Sequence, residues 1–247
     1  MEAFITLLEE RLMPAAGRIA EQRHLQAIRD GIILAMPLLI IGSVFLIFGY
    51  LPIPGYNDFM AQTFGEKWLD KLLYPVGATF DIMSIVISFG IAYRLAEKYK
   101  VDPLAAGAVS VAAFLLATPF EVPFTPEGSS EVFRVTGAIP VQWMGSRGLF
   151  VAMIIAILST EIFRKIVQRN IVIKLPPGVP PAVSRSFVAL IPGFAVLFVV
   201  WCLRLGIEAT RFGSIHNVVS DLLAGPLSAL GGTLFGAVVA VLMVQLL

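Results

Sequence analysis

The sequence predicts an all-α integral membrane protein. It should hold about six transmembrane helices, an N-terminal amphipathic helix and a small β-hairpin on the outer face. Three observations carry this reading. Apolar residues make up 57% of the 247 residues and charged residues only 14%, with a mean hydropathy of +0.86, far from the balance of soluble domains. Four stretches hold no charged residue: Gly31 to Leu51, Pro103 to Phe120, Ser186 to Leu203 and Leu222 to Leu247. A hydrocarbon core about 30 Å thick takes roughly 20 helical residues, and a soluble bundle would not need uncharged runs of this length. The third observation is the placement of charge. With the N-terminus inside, twelve of the 18 basic residues fall in inner segments, as the positive-inside bias expects. The net charge of +1 is not gathered into a patch that would suit nucleic acid.

Each element follows from local chemistry. Phe4, Leu8, Leu12, Ala15 and Ile19 recur at helical spacing with charges between them, so residues 1–27 read as an amphipathic helix on the inner membrane face. Glu2, Glu9, Glu10 and Glu21 interrupt any signal-like apolar core. Span one runs from about Ile28 to Leu51, with Pro37 inside, and Pro52 to Gly55 turns into an outer loop. Span two, Leu72 to Tyr93, is interrupted by Asp81. Span three, Leu104 to Thr118, is crowded with Ala and Gly. Strand-like pieces on either side of Pro126 to Ser130 suggest an outer hairpin. Span four, Gly148 to Phe163, ends near Glu161 and Arg164. The proline ribbon Lys174 to Pro181 should run extended and feed span five, with a restart near Ala182 to Ser186 where serines can cap. A more polar helix over 206–225 should lie along the outer surface. Span six, 226–247, ends at Leu246-Leu247 without a polar flank, an ending expected of a fragment or a gene cut short.

Small residues recur every four positions at Ser84, Ser88 and Ala92, at Ala152, Ala156 and Thr160, and along Ser228, Gly232, Gly236 and Ala240. Such rows let helix backbones approach closely. Candidate chemistry is sparse. Cys202, the single cysteine, sits in an apolar helical setting that favours packing over reactivity. His24 and His216 have no ligands at metal spacing, and no phosphate loop or nucleophile elbow appears, so neither a metal nor a cofactor is expected. His216 reads as an interfacial or outer-surface residue. Asp81 and Glu161 are the carboxylates nearest membrane depth and thus functional candidates, although Arg164 stands three residues from Glu161 and could pair with it. Glu208 reads as a solvated partner of Arg204 or Arg211.

Three runs together resemble a known family: Arg29-Asp-Gly-Ile-Ile-Leu-Ala-Met-Pro-Leu-Leu-Ile-Ile-Gly-Ser43, Gly145-Ser-Arg-Gly-Leu-Phe-Val-Ala152, and Leu175-Pro-Pro-Gly-Val-Pro-Pro-Ala-Val-Ser-Arg-Ser-Phe-Val-Ala-Leu-Ile-Pro-Gly193. They are similar to the membrane component, enzyme IIC, of the bacterial sugar phosphotransferase system, in its lactose/cellobiose/diacetylchitobiose branch. The resemblance implies ten membrane helices, the first five forming a dimer interface and the later ones a mobile sugar-binding domain. On that pattern residues 28–205 form the interface domain, 206–225 a linker helix and 226–247 the first helix of a truncated sugar-binding domain. The family's sugar-binding His and Glu would then lie beyond Leu247. The implied function is inward translocation of a β-linked disaccharide in a bacterial cell membrane. The partner, a phosphocysteine-bearing enzyme IIB fed by its phosphoryl donor chain, phosphorylates the sugar, and this component is not an enzyme on its own. An ion-coupled secondary transporter and a non-transporting scaffold are the alternatives.

Overall fold

The structure, a computed structural model, describes residues 21–231 except 127, 129, 130 and 177. The expected amphipathic helix up to residue 20 and the residues of span six past 231 lie outside the described residues. In chain order the elements are α1 Arg23–Gly49, α2 Tyr56–Phe64, α3 Trp68–Leu72, α4 Tyr74–Gly77, α5 Met83–Tyr99 and α6 Pro103–Ala117. A hairpin of β1 Glu121–Phe124 and β2 Phe133–Thr136 follows, then α7 Leu149–Gln168, α8 Pro181–Glu208 and α9 Ile215–Gly231. The expected hairpin is present and antiparallel, pairing Glu121 with Thr136 and Phe124 with Phe133. Two described helices, α1 and α8, are long and apolar enough to cross a membrane, and α6 is a shorter apolar helix.

Helix ends are set by recognisable devices. Asp102 caps α6 by accepting from Leu104 N–H at 3.0 Å and Ala105 N–H at 3.2 Å, with Pro103 as its first residue. Helix α5 ends with Lys100 in the left-handed region, φ 56°, and Val101 N–H returns to the Ala96 carbonyl at 3.1 Å. Helix α7 ends the same way: Asn170 has φ 57° and Ile171 N–H reaches Ile166 O at 3.2 Å. Serines do not cap α8. It starts at Pro181 after an extended Pro180, because a proline at the first helical position needs no amide partner and already has helical φ. Ser186 instead donates back to Ala182 O within the first turns.

The middle helix is α5, packed on α1, α6 and α7, while α8 closes the far side against α6 and α7. One apolar core joins Ala27, Ala35, Ile87, Ile91 and Leu95 between α1, α5 and α7. The other gathers Phe114, Val151, Ile155, Phe163, Val196 and Val200 between α6, α7 and α8. Two of the small-residue rows are buried: Ser84, Ser88 and Ala92, and Ala152, Ala156 and Thr160, have at most trace exposure. Ser88 and Ser110 hydroxyls meet at 2.9 Å between α5 and α6, and Ser84 Oγ donates to Gly145 O at 2.6 Å. Helices α1 and α5 approach closely at Gly31, where an added Cβ would stand 2.5 Å from Ile91 N.

Candidate functional site

Two polar clusters stand at opposite ends of the bundle. At the first, Glu161 on α7 collects partners from three helices. Its Oε1 accepts from the Tyr99 hydroxyl of α5 and meets His24 Nε2 of α1 at 3.0 Å, while Oε2 accepts from Arg164 Nη2 at 2.7 Å and Nε at 3.0 Å. The Arg164 guanidinium also lies over the Tyr99 ring, 4.1 Å from its centroid. Beside it Lys98 donates to Gln26 Oε1 at 2.9 Å and lies 3.7 Å from Asp30. Every carboxylate oxygen of Glu161 is thus engaged, as a half-buried charge requires. The arrangement binds helices together and leaves no free acceptor on this carboxylate for a ligand.

At the second end the hub is Thr118, fully buried just past α6. Its carbonyl accepts from Arg204 Nη1 of α8 at 3.1 Å, and the same nitrogen reaches Leu116 O at 2.9 Å. Arg204 thereby satisfies the orphan carbonyls at the C-terminus of α6, where positive charge is also favoured by the helix dipole. Arg204 Nε donates to Glu208 Oε1 at 2.7 Å, so the Arg204–Glu208 pair exists and Arg204 does more than the sequence suggests. The Thr118 hydroxyl donates to Phe114 O at 3.0 Å and meets His216 Nε2 at 2.9 Å.

His216 corrects a sequence expectation. It is 1% exposed, not at the surface, and its ring stacks on Trp143 at 4.6 Å with 24° between planes and meets Phe114 edge-on. Burial holds its basicity down, to about 4. The Cys202 side chain is a second correction: it is exposed, because α8 turns Val196 and Val200 inward and the residue two positions on faces away. It lines a shallow apolar groove with Phe198, Leu203 and Gly206. Asp81 is exposed in the turn before α5 rather than within a helix. Among the described residues no cluster of His, Cys, Asp and Glu could hold a metal ion. Tyr99, Thr118 and Trp143 carry these clusters and were not singled out by sequence, since no local spacing links Thr118 to a residue 98 positions away.

Comparison with known proteins places this framework. Residues 29–245 match the family model "Phosphotransferase system, EIIC". The chain belongs to this family. EIIC is the membrane transport component of the sugar phosphotransferase system. The EIIC chain is 75% identical over its full length to the PTS system cellobiose-specific EIIC component of Geobacillus stearothermophilus, covering 55% of that protein. It is 68% identical to the lichenan permease IIC component of Bacillus subtilis (strain 168), with 95% of this chain and 52% of that one aligned. Among solved structures it resembles the transporter ChbC, the IIC component of the N,N'-diacetylchitobiose-specific system, with a TM-score of 0.89 at 62% identity. That match covers 95% of this chain and 54% of ChbC. The chain spans about half the length of the curated relatives it matches.

Proposed function

We propose that this EIIC chain serves in the phosphoenolpyruvate-dependent uptake of a β-linked disaccharide, cellobiose first among the candidates. The observation that carries the reading is the 75% identity, over all 247 residues, with a cellobiose-specific relative. The lichenan permease component and the component of the N,N'-diacetylchitobiose-specific system, named above, are in keeping with it. In this reading α1, α5, α6, α7 and α8 are five membrane spans and residues 226–247 provide a sixth. The N-terminus lies in the cytoplasm, on the side of Lys98, Lys100, Arg169 and Lys174, and the hairpin lies outside. The described helices act as the fixed interface domain of a homodimer. Supporting this, α8 carries the exposed apolar row Phe187, Leu190, Phe194, Phe198 and Trp201, available to lipid and to a second copy. The partner that phosphorylates the sugar is a phosphocysteine-bearing enzyme IIB on the cytoplasmic side. An ion-coupled mechanism draws no support from Asp81, which stands in a turn, or from Glu161, which is fully paired.

A chimera tests the assignment: this chain replaces the matching segment of the Geobacillus relative in cells lacking their own β-glucoside permeases. Such cells should accumulate phosphorylated cellobiose. Failure at normal membrane abundance overturns the reading. Single cysteines at Lys67 and Lys100, in a Cys202→Ser background, should react with a membrane-impermeant thiol reagent from outside and from inside respectively; the reverse pattern refutes the orientation.

A further inference from the structure

We infer that His216 is an acid-releasable latch: its neutral imidazole fastens α9 to the end of α6, and a second proton on the ring frees it. The hydrogen-bond pattern fixes the protonation state. Thr118 has one hydroxyl proton and gives it to Phe114 O at 3.0 Å, so His216 Nε2, 2.9 Å from that oxygen, must be the donor. That leaves Nδ1 as a bare acceptor, and it is buried with no hydrogen-bond partner among the described residues. A proton added there would find no acceptor among the described residues, in a pocket walled by Phe114 and Trp143.

The charges on the packed elements do not help. Helix α6 and the turn Val141–Trp143 contribute no titratable side chain. Helix α8 contributes Arg204, a cation held on the Thr118 carbonyl, and Glu208, which Arg204 already occupies. Arg147 and, on α9 itself, Asp221 are exposed. The charged residues of α7 lie at the other end, around Glu161. The imidazolium would gain some attraction to the Trp143 face, which offsets only part of the lost hydration. Protons therefore bind the released state better than the docked one, and acid must shift the balance toward release.

The direction and window follow. Docking is at full strength above the free imidazole value of 6.5 and weakens as pH falls toward about 4, the docked value. By pH 4 the docking equilibrium should have fallen roughly a hundredfold. Neither step depends on what the protein transports.

Trp143 is the natural reporter. In the full chain in lipid nanodiscs, with Trp68→Phe and Trp201→Phe, acrylamide quenching of Trp143 should rise between pH 6.5 and 4 while helical content by circular dichroism stays constant. His216→Phe keeps the ring stack but cannot protonate, and should give a flat profile. His216→Ala should be readily quenched already at pH 7. The same acid transition in His216→Phe would overturn the proposal, and so would an unchanged Trp143 signal in the His216 protein across the whole range.

Discussion

Replacing Gly31 by Ala should loosen α1 from α5. An alanine Cβ would stand 2.5 Å from both Ile91 N and Ile91 Cγ1, and 2.8 Å from Ile91 Cα. Ordinary carbon contacts begin near 3.4 Å, so α1 must retreat by about 1 Å or strain its neighbour. The side chain could rotate aside, but the Ile91 backbone cannot. From the other helix, Gly90 faces Gly31 O in the same way, so no slack exists on either side. Overpacking of this kind costs about 1–3 kcal/mol, and helix association inside a bilayer rests largely on such close packing. The contrast is Gly206 on α8, where an added Cβ meets nothing within 4 Å. There Gly→Ala should be neutral or stabilise by up to about 1 kcal/mol through helix propensity. Thermal melting in detergent, followed by size-exclusion chromatography, reads both variants against the parent. A Gly31→Ala protein that melts at or above the parent temperature would refute the close-approach argument, whatever Gly206→Ala does.

Three further predictions follow from the two polar clusters and from α8. Arg204→Met should cost about 1–3 kcal/mol by leaving the Leu116 and Thr118 carbonyls without their donor; an unchanged melting temperature would show that water or another group takes its place. Glu161→Gln should destabilise by about 1–3 kcal/mol, and Glu161→Gln with Arg164→Met should cost clearly less than the sum of the single losses, whereas strict additivity would break the pairing argument. Cys202→Ser in the uptake chimera should leave transport intact, because the exposed thiol packs into neither core; lost uptake at normal membrane abundance would contradict that.

Composition and periodicity made the helical membrane character legible, because uncharged runs of twenty residues have few other uses. The small rows at Ser84 and Ala152 were legible for a related reason: a four-residue interval is a property of one helix, visible without its neighbours. A further row at the same interval, Ala27, Gly31 and Ala35, was equally visible but not singled out; it forms most of the buried face of α1. The misread residues share a cause. His216 and Cys202 each have their environment decided by other elements, and one chain position carries no record of which side of a helix faces the bundle. The start of α8 was misplaced because serines were read as caps where the proline itself suffices. Glu161 was legible only in its local pairing with Arg164, while Tyr99 and His24 arrive from 62 and 137 residues away.

The distribution of polar groups says what the described helices are built to do. Glu161, Tyr99 and His24 tie α1, α5 and α7 at one end, while Thr118, Arg204 and His216 tie α6, α8 and α9 at the other. Between them lie two apolar cores and close glycine and serine approaches, where Ile91 and Phe89 leave no room for a Cβ at Gly31 or Gly107. A body fixed at both ends and interlocked in the middle is poorly suited to rock or open. It is well suited to be the part against which another part moves, as the proposed interface domain requires. Within it His216 is the exception: among the described residues its contact is the one hydrogen bond joining α9 to the end of α6, and it is also the one that leaves a buried polar atom unpartnered. A contact built that way holds while the ring is neutral, and it is where this otherwise locked framework can give.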